Sequence, residues 1–138
     1  MTGAAPNRVF EPPVSDETVD FWAATREPRF VIPWCTDCEQ PIWYPRLVCP
    51  QCLGESVEWR AAAGTGTVYA CSTHFKAGPG RDDADGPYVV ALVDLAEGVR
   101  MMTNIVGCPP ETVTVGMPVL LAWAPLSDGR HLPMFRPA

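Results

Sequence analysis

The sequence predicts a mainly β protein in which an N-terminal helix leads into a small metal-clipped ribbon and then a five-stranded barrel. Three observations predict it. Four cysteines stand in two matched pairs, Cys35-Thr-Asp-Cys38 and Cys49-Pro-Gln-Cys52. A short acidic and aromatic stretch between two prolines, Pro13 and Pro28, precedes them. From Val57 onward, short apolar runs alternate with glycine-bearing turns at strand spacing.

Residues 1–14 contain small residues and three prolines, Pro6, Pro12 and Pro13, and read as a flexible tail. A helix is expected over 15–28. Ser15 or Asp16 can cap it, Asp16, Glu17 and Asp20 favour its positive end, and Val14 can staple onto Val19. Pro28 stops it, because the residue before a proline is pushed out of the helical region. Its apolar residues Val19, Phe21, Trp22 and Ala23 exceed what so short a helix needs, so it must dock, on its own ribbon or on a partner.

Residues 29–59 form the ribbon. A Cys-x2-Cys spacing lets a tight turn aim two sulfurs at one point, and two such turns complete a closed four-sulfur site with no open coordination position. A metal held by Cys35, Cys38, Cys49 and Cys52 is therefore structural, with zinc preferred over iron among the ions that four thiolates suit. A redox dithiol and a pair of disulfides are the competing readings. Nothing before Cys35 reads in sequence as the strand that feeds a thioredoxin-like motif, and a doubled motif is hard to explain by redox alone.

Residues 60–138 form the barrel. Strands are expected over Thr67–His74, Tyr88–Leu95, Val99–Val106, Met117–Trp123 and Leu132–Arg136. On the second of these, Val89, Ala91, Val93 and Leu95 share one face while Tyr88, Val90 and Leu92 share the other, so both faces look covered. Five strands in this order, with a turn-rich joint over Cys108–Gly116, fit an OB-type barrel. The loop from Ala77 to Pro87 lacks the lysine of a phosphate loop and the closing glutamate of a calcium loop, and reads as a flexible connector or a partner contact.

Charge narrows the partners. The chain of 138 residues carries 10 basic and 16 acidic side chains, a formal net charge of −6 with no basic run, which opposes binding to nucleic acid. No stretch has the roughly 18 apolar residues of a membrane span, and no apolar segment follows a positive N-terminal patch, so the chain is expected to be cytoplasmic. Cys71 and Cys108 lie outside the cluster in apolar or turn contexts and read as small packed residues. His74 and His131 have no nucleophile beside them in sequence, and the solvated Asp82, Asp83 and Asp85 are neither fixed nor desolvated. The expectation is a chain with no active site of its own. Trp34, Trp43, Trp59 and Tyr44 read as ribbon packing, although a stacking platform is how barrels of this class bind single strands.

The order of motifs is Asp20-Phe-Trp-Ala-Ala24, Cys35-x2-Cys38, Tyr44-Pro-Arg46-x2-Cys49-Pro-x-Cys52, Gly64-Thr-Gly-Thr-Val-Tyr69, Pro87-Tyr-Val-Val-Ala-Leu-Val93, Gly116-Met-Pro-Val119 and Pro133-Met-Phe-Arg-Pro137. Over residues 16–137 this resembles the acyl-CoA-associated OB-fold family with a rubredoxin-like zinc ribbon, domain of unknown function thirty-five. The resemblance implies a non-catalytic accessory subunit. Its partner would be a thiolase-fold enzyme, such as a lipid-transfer-type thiolase or aldolase, or a MaoC-like hydratase, in acyl-CoA metabolism that includes steroid side-chain degradation. It implies structural Zn2+ on Cys35, Cys38, Cys49 and Cys52. Phe21, Trp22 and Arg46, with Lys76 and Arg81 about the long loop, are the candidate contacts with the partner or with acyl-CoA. One departure is that glycine does not follow either pair directly: Glu39 follows the first, and glycine is delayed to Gly54 after the second. The alternative is a single-stranded nucleic-acid binder. An independent acyl-CoA enzyme such as a thioesterase lacks a visible base and nucleophile.

Overall fold

A computed structural model describes residues 10–78 and 82–138, so most of the expected tail lies outside the described residues. The expected architecture is present: one helix, a cysteine-bearing three-stranded sheet and a closed five-stranded barrel of the OB type. Helix α1 spans Val19–Thr25, shorter than the 15–28 expected. Thr18 explains its late start. Its hydroxyl takes the Ser15 N–H at 3.0 Å and closes a turn, so it looks backward and caps no amide of the helix. The staple does not form, since Val14 and Val19 are both about half exposed. Phe21, Trp22, Ala24 and Thr25 are the buried residues, while Ala23 faces out.

The ribbon sheet has the order β2-β1-β3, with β1 Val31–Cys35, β2 Gln40–Pro41 and β3 Val57–Ala61, all antiparallel. The first cysteine pair occupies the turn between β1 and β2, and the second lies in the long connection from β2 to β3. The barrel follows as β4 Thr65–His74, β5 Tyr88–Leu95, β6 Arg100–Ile105, β7 Pro118–Pro125 and β8 His131–Pro137, closed in the order β4-β5-β6-β8-β7. A single parallel pairing, Ile105 with Phe135, joins β6 to β8. The joint between β6 and β7 is reduced to one 3-10 turn at Pro110–Thr112.

Barrel closure concentrates at Gly66, which pairs with Leu95 on one side and Val119 on the other. A β-carbon there would lie 2.5 Å from Val93 Cγ1 and 2.7 Å from the Asp94 carbonyl oxygen, so only glycine lets three strands approach this closely. On β5 the pattern is as expected on one face, with Val89, Ala91, Val93 and Leu95 buried. The opposite face is half-buried, and Met102 beside it on β6 is exposed.

One apolar cluster runs through helix, ribbon and barrel. Phe30, just before β1, is its joint: its ring meets Phe21 at 6.5 Å, Trp123 at 6.1 Å and Phe135 at 6.5 Å, each edge-on. Polar rivets reinforce this joint. Thr25, fully buried, accepts the His131 backbone N–H through its hydroxyl, and its carbonyl accepts His131 Nδ1–H at 2.7 Å. Arg130 is 5 % exposed; it bonds the Asp128 carboxylate and the Pro12 carbonyl and lies 4.8 Å above the Trp22 ring. The helix therefore docks on its own chain, against both ribbon and barrel.

Among the described residues between β4 and β5, the aspartates are held by local hydrogen bonds. Asp82 and Asp85 form a reciprocal capping box around the 3-10 turn Asp83–Asp85, and Asp83 accepts the Ala77 N–H at 2.9 Å. The three carboxylates are occupied by backbone amides.

Candidate metal centre

The four sulfurs of Cys35, Cys38, Cys49 and Cys52 lie within 4.8 Å of one another. Across the two knuckles, Cys35 and Cys52 sulfurs are 3.7 Å apart and those of Cys38 and Cys49 are 4.0 Å apart. A tetrahedral zinc with bonds of about 2.3 Å requires S···S edges of about 3.8 Å, so the arrangement fits such an ion. It does not fit disulfides, whose sulfurs bond at about 2.05 Å. All six cysteines are free thiols.

The knuckles are shaped by backbone. Cys38 N–H points at Cys35 Sγ, Gln51 N–H at Cys49 Sγ and Gly54 N–H at Cys52 Sγ, at 3.3–3.4 Å. Each such bond stabilises a thiolate and leaves it free to bind a cation. Turning the chain this tightly needs the left-handed region after each pair. Glu39 and Leu53 adopt it, at φ of 53° and 62°, where glycine would be free of strain. The departure noted in the sequence is thus real, and the amide-to-sulfur bonds form in spite of it.

Without a cation the thiols are unequal. The backbone N–H of Cys52 helps bring Cys49 down to about 7, while the hydrogen bond with the Cys52 sulfur, followed by burial, pushes Cys38 up to about 12. The Cys49 proton leaves easily near neutral pH, whereas the Cys38 proton needs a metal to displace it. Fully loaded, four thiolates and a divalent ion change the formal charge by −4 + 2, from −6 to −8. Around this site Arg60 bridges Glu39 and Glu58 and covers the Trp34 ring at 4.9 Å, tying the first knuckle to β3. Those two carboxylates, Glu39 foremost, raise the Arg60 guanidinium above its ordinary range.

The other candidate residues are not gathered at one place. Phe21 and Trp22 are 4 % and 7 % exposed, so the rings expected to meet a partner or CoA are spent on the chain's own core. Arg46 is exposed at a cleft of about 470 Å³ that Tyr44, Leu47, Val48, Pro50 and Leu53 line beside the second knuckle. Lys76 is exposed after β4, and Arg81 lies outside the described residues. Tyr44 also lines a second groove of about 470 Å³, with Phe10, Tyr88, Val90 and Met102 along the outer face of β5 and β6. Neither histidine ring hydrogen-bonds a carboxylate, serine or cysteine among the described residues: His74 stacks on Tyr88 at 5.2 Å and His131 binds a carbonyl.

Two structural residues escape sequence reasoning. Arg130 carries no signal of burial, since an arginine in a hairpin is ordinarily solvated. Leu53 could have been found: an apolar residue directly after a Cys-Pro-x-Cys knuckle stands where glycine eases the turn, and it is 75 % exposed.

Residues 22–58 match the family described as "ChsH2, rubredoxin-like zinc ribbon domain" and residues 59–124 match "ChsH2, C-terminal OB-fold domain". A Thermomonospora curvata protein named "Probable enoyl-CoA hydratase alpha subunit" is 38 % identical over 92 % of this chain, but the chain spans only 39 % of that relative. A Methanocaldococcus jannaschii "DUF35 domain-containing scaffold protein" is 36 % identical over 62 % of this chain and 60 % of its own length. Among solved structures, a chain from "Ltp2-ChsH2(DUF35) aldolase" superposes with a TM-score of 0.82 at 37 % identity, covering 92 % of this chain and 98 % of that one. The two family models match in tandem over residues 22–124, and this chain belongs to the ChsH2-type DUF35 family of rubredoxin-like zinc ribbons joined to OB-fold barrels.

Proposed function

We propose that this chain is a non-catalytic scaffold subunit that docks on a catalytic protein of acyl-CoA thioester metabolism, with structural zinc on Cys35, Cys38, Cys49 and Cys52. The observation that carries the reading is the whole-length likeness to a chain from a structure titled as an aldolase of two components, Ltp2 and ChsH2. The name of the archaeal relative, a scaffold protein, supports the same role. Zinc, when bound, would supply a cross-link between two loops too short to hold a core. The chain's own part is mechanical: Phe30 and the buried Thr25, Arg130 and Trp22 fix helix and ribbon on the barrel, so that a partner meets one rigid surface.

The partner is read here as thiolase-fold or MaoC-like, and the partner makes and breaks the bonds. Arg46, Lys76 and Arg81 remain the candidate contacts with that partner or with a CoA phosphate, since arginine and lysine suit phosphate oxygens. The test is co-expression with a thiolase-fold and with a MaoC-like protein from the same genome, followed by gel filtration with light scattering and a thioester assay. The reading expects one of them to co-elute and to lose activity when this chain is withheld. It fails if both remain soluble, separate and fully active alone.

A further inference from the structure

The sulfur cluster is unevenly shielded. Cys35 and Cys49 are fully buried, Cys38 is half-buried, and Cys52 is exposed. The Cys52 sulfur lies 3.7 Å from the Cys35 sulfur, which belongs to the other knuckle and ends β1. An exposed thiolate beside a buried one is the arrangement in which an oxidant reaches the first sulfur and the second resolves the product. Cys71 and Cys108 stand apart from this pair. Both are half-buried, and Cys71 donates weakly to the Val113 carbonyl at 3.8 Å.

We infer that the clip is a peroxide-responsive switch in which Cys52 is the sulfur attacked and Cys35 the sulfur that resolves it, opening the two cysteine knuckles while the joint of ribbon and barrel stays folded. The inference rests on the tetrathiolate reading of the site. In the first step the Cys52 thiolate attacks one oxygen of a hydroperoxide. The O–O bond breaks, a sulfenic acid forms, and the leaving oxygen takes a proton as water or alcohol. In the second step the Cys35 thiolate attacks the Cys52 sulfur, the S–O bond breaks, and the departing hydroxide takes a proton to become water. Two thiolates have together lost two electrons and the peroxide has gained them.

The consequence follows from geometry. Forming the bond brings sulfurs 3.7 Å apart to about 2.05 Å and leaves only Cys38 and Cys49 as donors. Two thiolates do not make the closed four-sulfur site, so the ion is released. The apolar cluster that joins helix, ribbon and barrel contains none of the four cysteines, and Cys35 and Cys49 belong to a separate small cluster with Ile42, so the knuckles can open while the joint and the barrel persist.

The experiment uses the full chain loaded with zinc, its metal content measured first. An empty preparation would overturn the tetrathiolate reading itself, separately from the switch. Hydrogen peroxide is then added in stages with a chromogenic zinc chelator present, and peptide mapping locates oxidised residues. The expected result is one ion released per peroxide consumed, a Cys35–Cys52 cross-link, and Cys38 and Cys49 still alkylatable. Far-ultraviolet dichroism should keep its barrel signal, and dithiothreitol with added zinc should restore the knuckles. Retained metal at a peroxide dose that already oxidises the exposed Met102 would overturn the inference, as would a cross-link between any other pair. The Cys71→Ser, Cys108→Ser double variant should behave identically; mapping of the unaltered chain decides the matter if that variant does not fold.

Discussion

Phe30→Ala is the substitution that most tests how ribbon and barrel are joined. Phe30 is 6 % exposed and its ring meets three others, one from the helix and two from the barrel, at 6.1–6.5 Å. Truncating a buried phenylalanine costs about 3–5 kcal/mol, as lost transfer energy plus the cavity left behind. Three edge-on ring contacts place this site toward the upper part of that range. A loss of about 4 kcal/mol raises the unfolded fraction roughly a thousandfold and lowers Tm by roughly 10–15 °C in a chain of this size. The assay is denaturant unfolding of zinc-loaded protein, followed both by tryptophan fluorescence, weighted toward the ribbon by Trp34, Trp43 and Trp59 against Trp123 in the barrel, and by far-ultraviolet dichroism, weighted toward the barrel by its five strands. Both probes should shift together, because one cluster holds both parts. A loss under about 1 kcal/mol, or a shift of the ribbon signal alone, would refute the joint. Phe30→Leu, which keeps most of the volume, should cost about 1.5 kcal/mol or less.

Gly66→Ala should destabilise by roughly 1–3 kcal/mol or more, since the new methyl meets Val93 and the Asp94 carbonyl at under 3 Å; unchanged thermal unfolding would contradict the described barrel closure. Leu53→Gly should stabilise by about 0.5–1 kcal/mol, because it relieves a left-handed residue and removes little packing from a side chain that is 75 % exposed. A loss of stability there would mean that Leu53 packs in solution. The Arg130 backbone N–H, with its guanidinium, holds Asp128 below the usual carboxylate range, and Arg100 does the same for Asp94. A depressed folded value gives stability that is complete above the unfolded value of 3.8 and is lost as pH falls through the folded one. Chemical denaturation should therefore show stability falling below pH 4, and Asp128→Asn should flatten that slope; an unchanged slope would count against the pair.

Much of this molecule is legible in its sequence because its strongest signals are local. A Cys-x2-Cys pair encodes its own turn, and strand alternation on β5 encodes that Val89, Ala91, Val93 and Leu95 share one face, though not that this face alone is the core. Glycine placement marks the turns that divide the strands. What is not legible depends on distant residues. That Trp22 is covered by Arg130, from the opposite end of the chain, cannot be inferred from either residue's neighbours. The same holds for Phe21, read as a contact for a partner until Phe30 and Trp43 are seen to enclose it. The late start of α1 is a finer failure: Ser15 and Asp16 have capping chemistry, but the Thr18 hydroxyl engages the Ser15 amide and the chain turns before it coils.

The four-sulfur metal centre is the claim on which the ribbon's fold and its proposed switch both rest, and X-ray absorption at the zinc edge on protein purified without added metal tests it directly. The account predicts one zinc per chain with a shell of four sulfurs at about 2.3 Å and no nitrogen or oxygen. A metal-free preparation, or a shell with fewer than four sulfurs, would contradict it.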